Sequence, residues 1–234
     1  MHNLDFGNLW RKVHDKIHPM RFQRLFTFVF LLIVFTAFAC QSPLPSSASL
    51  PSGSVLFQDD FSSPTTGWDR LTSAEGVMDY DGGGYRILVN ALQVSFWSTP
   101  HKNLSDVRME VDIGKLAGPD ENRIGLICRY TGSDYYFFMV TSDGYYAIGK
   151  FVNGQMTQLG QSEMQYSENI RKGVTVNHLR GDCVGNTLTL YINGFQTAQA
   201  QDSTLTAGDV GLMAGTFAQP GVDVIFDNFV VLQP

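Results

Sequence analysis

The chain has 234 residues, of which 44% are hydrophobic and 16% are charged. This composition is typical of a globular protein with one sizeable core, and it excludes a fibrous or wholly disordered chain. The chain has 16 basic and 22 acidic residues, of which residues 1–39 contain five basic and two acidic ones. Residues 40–234 therefore contain 11 basic and 20 acidic residues and have a net charge of −9. Because nucleic acid repels an acidic protein, no nucleic-acid partner is predicted.

The first predicted element is the uncharged apolar segment LFTFVFLLIVFTAFA at residues 25–39, which follows Arg21 and Arg24. It is shorter than the ~20 residues of a membrane-spanning helix and has the length of a signal-peptide apolar region. We therefore predict a signal peptide over residues 1–39. Residues 1–19 form an unusually long leader, so Met20 is the start that would give a signal of ordinary shape.

The apolar segment ends in Ala37, Phe38 and Ala39 before Cys40, which resembles the lipobox of bacterial lipoproteins, with Ala37 where that motif usually has Leu. The resemblance implies that Cys40 is lipidated and anchors an extracytoplasmic protein to the cell membrane. The alternatives are an uncleaved anchor or an ordinary secretory signal, in which Cys40 is incidental. Residues 40–54 are rich in Ser and Pro, which predicts a flexible tether.

From Val55 to the last residue, short runs of β-branched and aromatic residues alternate with period two and are separated by Gly, Asn and Asp. The pairs Asp143-Gly144, Asn153-Gly154 and Asn193-Gly194 are strong hairpin signals. The pattern predicts an all-β domain over residues 55–234, a two-sheet antiparallel sandwich of the jelly-roll type. The predicted strands are residues 85–89, 107–113, 123–130, 135–141, 145–151, 176–182, 187–192, 210–215 and 224–231.

Four segments resemble the concanavalin A-like lectin/glucanase superfamily, with laminin G-like jelly rolls and 3-keto-disaccharide hydrolase domains the most similar in character. They are FQDDFSSPTTGW (57–68), ICRYTGSDYYFFMVTSDGYYAIGKF (127–151), LTLYING (188–194), and the closing pair GDVGLMAGTF (208–217) with VIFDNFVV (224–231), counted as one. The resemblance implies that the first and last strands pair and that a structural calcium ion binds nearby through Asp60 and Asp227. Turn capping by these aspartates is the alternative, and no cofactor is expected to be required.

The stretch MEVDIG (109–114) places Glu110 and Asp112 two residues apart, which puts both carboxylates on one face of a strand. They match the first two positions of the E-x-D-x-E pattern of related glucanases. Gly114 stands in the third position, so no carboxylate remains there to protonate a leaving group. The sequence favours a non-catalytic, glycan-binding or adhesive module. A sugar-active enzyme of 3-keto-glycoside hydrolase type and a structural or protein-interaction domain are the alternatives.

A sugar site typically combines aromatic rings with planar hydrogen-bonding groups. Six residues of these kinds fall on predicted strands: Arg129, Tyr136, Tyr146, Lys150, His178 and Arg180. If their strands are neighbours, the side chains line one face and bind an extracellular polysaccharide or a cell-surface protein. The alternative is an ordinary solvated sheet face.

Cys128 and Cys183 are the remaining cysteines once Cys40 is set aside. An extracytoplasmic compartment is oxidising in many bacteria, so we predict a disulfide between them. Two buried thiols are the alternative, because sequence does not determine how closely the two residues approach.

Overall fold

The computed structural model describes residues 50–234. The predicted signal peptide, Cys40 and most of the tether lie outside the described residues. Sixteen strands occur in the described part: β1 (Val55–Asp59), β2 (Leu71–Ser73), β3 (Gly76–Asp81), β4 (Gly84–Val89), β5 (Ser95–Ser98), β6 (Val107–Ala117), β7 (Asn122–Tyr130), β8 (Tyr135–Val140), β9 (Tyr145–Val152), β10 (Gln155–Gln158), β11 (Gln165–Tyr166), β12 (Val176–Val184), β13 (Thr187–Ile192), β14 (Phe195–Gln201), β15 (Asp209–Thr216) and β16 (Val222–Leu232). Over residues 50–234, no helix is long and apolar enough to span a membrane.

The strands form two antiparallel sheets. The nine-stranded sheet has the order β14-β13-β12-β6-β16-β4-β3-β2, and β1 pairs with β16 beside β4. The seven-stranded sheet has the order β10-β9-β8-β7-β15-β5, and β11 pairs with β9. The predicted antiparallel sandwich is therefore confirmed, and so is the expected pairing of the first and last strands.

The main core lies between the sheets and follows the alternation of the strands. In β6, Met109 and Val111 are fully buried, whereas Glu110 and Asp112 are only partly buried. Because successive side chains of a strand point to opposite faces, the two carboxylates lie on the outer face of the nine-stranded sheet.

The predicted disulfide is confirmed. Cys128 in β7 is bonded to Cys183 in β12, 55 residues further along the chain. Both residues are fully buried in the main core. Since β7 and β12 belong to different sheets, the bond links the two layers covalently.

Two of the three predicted hairpin pairs form two-residue turns, whereas Asp143-Gly144 belongs to the four-residue connection between β8 and β9, in which only Gly144 has a positive φ. Asn153 and Gly154 connect β9 to β10 with φ angles of 52° and 77°, and Asn193 and Gly194 connect β13 to β14 with 51° and 87°. Positive φ at both central residues is what a type I′ turn requires, and Asn and Gly accept it most readily. These turns fix the register of both hairpins.

Candidate functional site

The six residues predicted to bind a ligand do not form one site. Strands β7, β8 and β9, which carry Arg129, Tyr136, Tyr146 and Lys150, belong to the seven-stranded sheet. Strand β12, which carries His178 and Arg180, belongs to the nine-stranded sheet. The prediction that these side chains line one face is wrong, because their strands are not neighbours in a single sheet.

Arg129 is a buried structural residue, with only 2% of its surface exposed. Its guanidinium donates hydrogen bonds to the carbonyl oxygens of Ser105 (3.2 Å) and Leu205 (2.8 Å) and pairs with Asp106 at 3.0 Å. The φ angle of 53° at Arg129 and a register shift between β7 and β15 interrupt the strand alternation. The irregularity buries Arg129 and leaves Tyr130 packed on the outer side of the sheet.

Tyr136 and Lys150 hold the connection between β14 and β15. The Tyr136 hydroxyl donates to Asp202 Oδ1 at 2.6 Å, and Lys150 Nζ donates to Asp202 Oδ2 at 2.5 Å. Burial alone would raise the pKa of Asp202, but hydrogen bonds from Lys150, Thr204 and Tyr136 outweigh it and hold that pKa well below its usual range. The polar atoms of Tyr136 and Lys150 are thus engaged within the fold.

A carboxylate–histidine cluster, formed by Glu110, Asp112 and His178, lies on the outer face of the nine-stranded sheet. His178 Nδ1 is 2.8 Å from Asp112 Oδ1, and His178 Nε2 is 3.6 Å from Glu110 Oε2. Asn228 Nδ2 donates to the other Asp112 oxygen at 3.0 Å. The cluster forms because β12 pairs with β6 in a register that sets His178 opposite Asp112.

Arg180, beside this cluster, is already paired. Its Nε and Nη2 donate to the two carboxylate oxygens of Asp182 at 2.8 Å and 2.6 Å. Its guanidinium also lies 4.3 Å above the centre of the Tyr191 ring. The arginine therefore covers the aromatic ring on its own face of the sheet.

The two aspartates predicted as calcium ligands both accept hydrogen bonds from nearby residues of the chain, Asp60 in the loop after β1 and Asp227 within β16. Asp60 Oδ1 accepts hydrogen bonds from the backbone N–H (3.1 Å) and hydroxyl (2.7 Å) of Ser62, and Asp227 Oδ1 accepts from the N–H of Asn228 at 2.7 Å. In the described part of the chain, no group of three or more His, Cys, Asp or Glu residues is arranged to hold a metal ion. The contacts of Asp60 match the turn-capping alternative and those of Asp227 do not, and calcium stays a prediction of the resemblance.

An aromatic face, defined by Trp97, Tyr130, Tyr135 and Phe151, occupies the outer side of the seven-stranded sheet. Tyr135 is its central ring: the ring centres of Trp97, Tyr130 and Phe151 lie 5.7, 6.2 and 5.4 Å from it. Tyr135 is buried, and the other three rings are half-buried. This surface therefore offers partly exposed aromatic rings next to each other.

The aromatic face rests on an apolar layer separate from the main core. This layer consists of Ile127, Tyr135, Phe137, Met139, Ala147 and Met213, all at most 5% exposed. Glycines on the same face make room for it. A Cβ at Gly149 would clash with the Phe137 ring, and one at Gly211 would clash with the Ser98 carbonyl oxygen. Large side chains thus pack directly over bare backbone.

Polar groups accompany the aromatic face. Burial raises the pKa of Tyr135 to about 12, so its phenol stays protonated even in moderately alkaline solution. Arg123 shares the outer face, with its guanidinium 4.4 Å above the Phe217 ring and Nη1 donating to Ser95 Oγ at 3.3 Å. Its Nε is buried and has no hydrogen-bond partner, and among residues 50–234 no carboxylate pairs with it. Burial lowers the pKa of Arg123.

Tyr146, the last of the six predicted residues, lies apart from both surfaces. It packs against the main core and lines a pocket between β9 and β14. Tyr130, Tyr135, Phe151 and Arg123 were not among the predicted binding residues. The run YYFFM places Tyr135, Phe137 and Met139 on one face of a strand, but it does not show whether that face is the outer one.

Comparison with known proteins identifies the fold. No protein-family model matches the chain, and no curated protein sequence matches it. The chain is similar in structure to a Bacillus subtilis protein of unknown function with a galectin-like fold (TM-score 0.59, 13% identity, 78% of this chain and 97% of that one). It is also similar to the Bacillus licheniformis β-glucanase (0.56, 13%, 80% and 100%) and to the GH16 protein of the Bacteroides ovatus mixed-linkage glucan PUL (0.55, 12%, 76% and 100%). The chain therefore has a concanavalin A-like jelly-roll fold.

Proposed function

We propose that this protein binds a glycan through its aromatic face. The observation that carries the proposal is the group of half-buried rings of Trp97, Tyr130 and Phe151 around Tyr135. Sugar rings have apolar C–H faces that pack on aromatic rings, while their hydroxyls need directed hydrogen bonds. The guanidinium of Arg123 on the same outer face, which forms no ion pair within residues 50–234, supplies N–H donors suited to that second need.

At the aromatic face, the protein binds the glycan without hydrolysing it. Retaining hydrolysis requires two carboxyl groups about 5 Å apart. The buried layer under the aromatic rings is composed of apolar and aromatic side chains. Similarity in fold to a β-glucanase supports a glycan ligand, and the four rings that define the aromatic face carry no carboxyl group.

Replacing Trp97 with alanine is expected to weaken glycan binding about tenfold, because an aromatic contact of this kind is worth about 1.5 kcal/mol beyond simple burial. A glycan array probed with the purified full-length protein identifies a ligand, and calorimetric titration of the variant gives the change. The melting temperature should fall only slightly, because Trp97 lies in the edge strand β5 and is half-buried.

Phe195→Ala is the matched control. Phe195 is an aromatic residue with 61% of its surface exposed, and it lies on β14 of the other sheet. Its removal should leave glycan affinity unchanged. Weaker binding in Phe195→Ala together with normal binding in Trp97→Ala would place the site elsewhere. If the wild type bound no glycan on the array, a structural or protein-interaction role would be favoured.

A sugar-active enzyme is the second candidate, favoured by the carboxylate–histidine cluster. Asp112 orients the His178 ring through Nδ1, and Glu110 lies near the opposite nitrogen. Such a group can exchange protons with a substrate that lies on the sheet. Turnover of 3-keto-glycosides or of an array hit, lost in Glu110→Gln and retained in Trp97→Ala, would establish the enzyme instead of the binding module.

We propose further that the domain is held at the membrane through lipid on Cys40, outside the cytoplasm. The support is the signal-like segment at residues 25–39, directly followed by this cysteine and by a Ser/Pro-rich stretch. Metabolic labelling with a fatty-acid analogue is expected to mark the wild-type protein and to miss Cys40→Ala. Equal labelling of the wild type and Cys40→Ala would contradict lipidation of Cys40.

A further inference from the structure

Arg123 differs from the other basic side chains of residues 50–234. This part of the chain contains all 11 Lys and Arg residues that follow position 39. Seven of them pair with a carboxylate. Of the remaining four, Lys102, Arg171 and Lys172 are exposed, whereas Arg123 is half-buried. Within the described residues, Arg123 alone therefore combines partial burial with the lack of an ion pair.

The charge of Arg123 is partly removed from water without a counter-ion. Burial lowers the pKa of its guanidinium, because the charged form is less well solvated there. The guanidinium lies 4.4 Å above the Phe217 ring, and Nη1 donates to Ser95 Oγ at 3.3 Å. Neither neighbour carries a negative charge. An anionic group on a ligand would supply the missing countercharge.

Part of the guanidinium can be reached by a ligand. Its Nε is enclosed, whereas Nη2 has no hydrogen-bond partner within residues 50–234 and keeps accessible surface. The charge also lowers the pKa of Tyr135, the central ring of the aromatic face, against the larger effect of burial. Arg123 thus lies close enough to the aromatic face to act on it electrostatically.

The register of the sheet places Arg123 on the Trp97 side of the aromatic face. Arg123 is opposite Gly215 of β15, and Gly215 is opposite Ser95 of β5. A Cβ at Gly215 would lie 2.6 Å from Ser95 Oγ, so the glycine leaves space for the contact between Ser95 and Arg123. Ser95 and Trp97 are two residues apart on one face of β5, a separation of about 7 Å along the strand.

Uronic acids combine the two groups that this surface can bind. The carboxylate of a uronic acid is attached to the sugar ring, so a ring that packs on Trp97 carries its charge within the same sugar residue. Arginine is well suited to a carboxylate, because its planar guanidinium donates several N–H groups in fixed directions. The net charge of −9 over residues 40–234 repels anionic polymers, so binding one requires a local cation of this kind.

We infer that the glycan bound at the aromatic face contains uronic acid, with a carboxylate of the sugar paired to Arg123. This inference rests on the proposed function of the aromatic face. It adds the class of glycan and the residue that selects for it.

A glycan array that displays acidic oligosaccharides from pectin, alginate and hyaluronan beside neutral cello-, manno- and xylo-oligosaccharides tests the inference on the full-length wild type. At least one acidic oligosaccharide should bind. The same oligosaccharide with its carboxyl groups reduced to alcohols should bind at least tenfold more weakly, since a hydrogen bond to a charged group is lost. Binding of neutral oligosaccharides alone, or equal affinities for the acidic and reduced forms, would overturn the inference and leave glycan binding at the aromatic face intact. Binding of no glycan would contradict both proposals.

Arg123→Gln assigns the selectivity to this residue. The variant should bind the acidic oligosaccharide at least tenfold more weakly than the wild type and the carboxyl-reduced form equally well. Arg171→Gln is the matched control, because it removes the same charge from an exposed arginine that has no carboxylate partner within residues 50–234. It should bind both forms like the wild type. The inference fails if Arg123→Gln keeps the wild-type affinity for the acidic form, or if Arg171→Gln loses as much.

Discussion

Replacing Cys128 and Cys183 together with alanine is expected to lower the free energy of unfolding by about 4 kcal/mol. The disulfide closes a loop of 55 residues, and restricting a loop of this length in the unfolded chain stabilises the native state by that amount on the chain-entropy model. It also joins one strand from each sheet. Urea unfolding of the wild type and the double variant measures the difference.

Reducing the disulfide of the wild-type protein is the control for the cavities that the two alanines leave. The reduced wild type keeps both sulfur atoms, so the part of the loss due to the bond itself appears there without any change of side-chain volume. A difference below about 1 kcal/mol between oxidised and reduced protein would contradict the stabilising role of the bond.

Replacing Arg129 with methionine is expected to cost about 3 kcal/mol of stability. The methionine keeps an unbranched stem, but the carbonyl oxygens of Ser105 and Leu205 lose their donors and Asp106 loses its ion pair. Removing the buried guanidinium is costly because it takes three interactions from partly buried partners. Chemical denaturation again provides the measurement.

Arg70→Met is the matched control for that variant. Arg70 also pairs with a carboxylate, Asp79, but its side chain is 57% exposed. Exposed ion pairs contribute about 0–1 kcal/mol. If Arg129→Met were no more destabilising than Arg70→Met and glycan binding were lost, Arg129 would be a binding residue after all.

Alternation and turn chemistry were sufficient to predict most of the fold. Strand β6 buries every second residue from Val107 to Ile113, so its period of two was visible in the sequence. The nine predicted strands correspond to β4, β6, β7, β8, β9, β12, β13, β15 and β16, and the other seven were not predicted. Two of the seven, β10 and β14, show the reason. They lie at the edges of the two sheets and have polar sequences, QMTQ and FQTAQAQ, because an edge strand buries few side chains and leaves little alternation to detect.

The aromatic face could not be predicted because its central strand has no visible polarity. All six residues of β8, YYFFMV, are buried, since one face packs in the main core and the other in the outer apolar layer. The sequence does not distinguish which of Tyr135 and Tyr136 faces outward. The irregular backbone at Arg129 then moved an apparently outward residue into the interior.

The carboxylate–histidine cluster could be predicted only with knowledge of the sheet topology. Asp112 and His178 are 66 residues apart, and they meet only because β12 is the antiparallel neighbour of β6. Glu110 and Asp112 are neighbours in the sequence, whereas the third group of the cluster, His178, belongs to another strand and cannot be recognised from a local motif.

The most direct test of glycan binding at the aromatic face follows the indole N–H signals of the ¹⁵N-labelled full-length protein during titration with a glycan that binds on the array. Trp68 serves as an internal reference, because it is 4% exposed and its Nε1 donates to Asp59 Oδ2 at 2.8 Å. We predict that the Trp97 signal shifts in a saturable manner while the Trp68 signal stays in place. A glycan that saturates the protein and leaves the Trp97 signal unmoved would contradict the account.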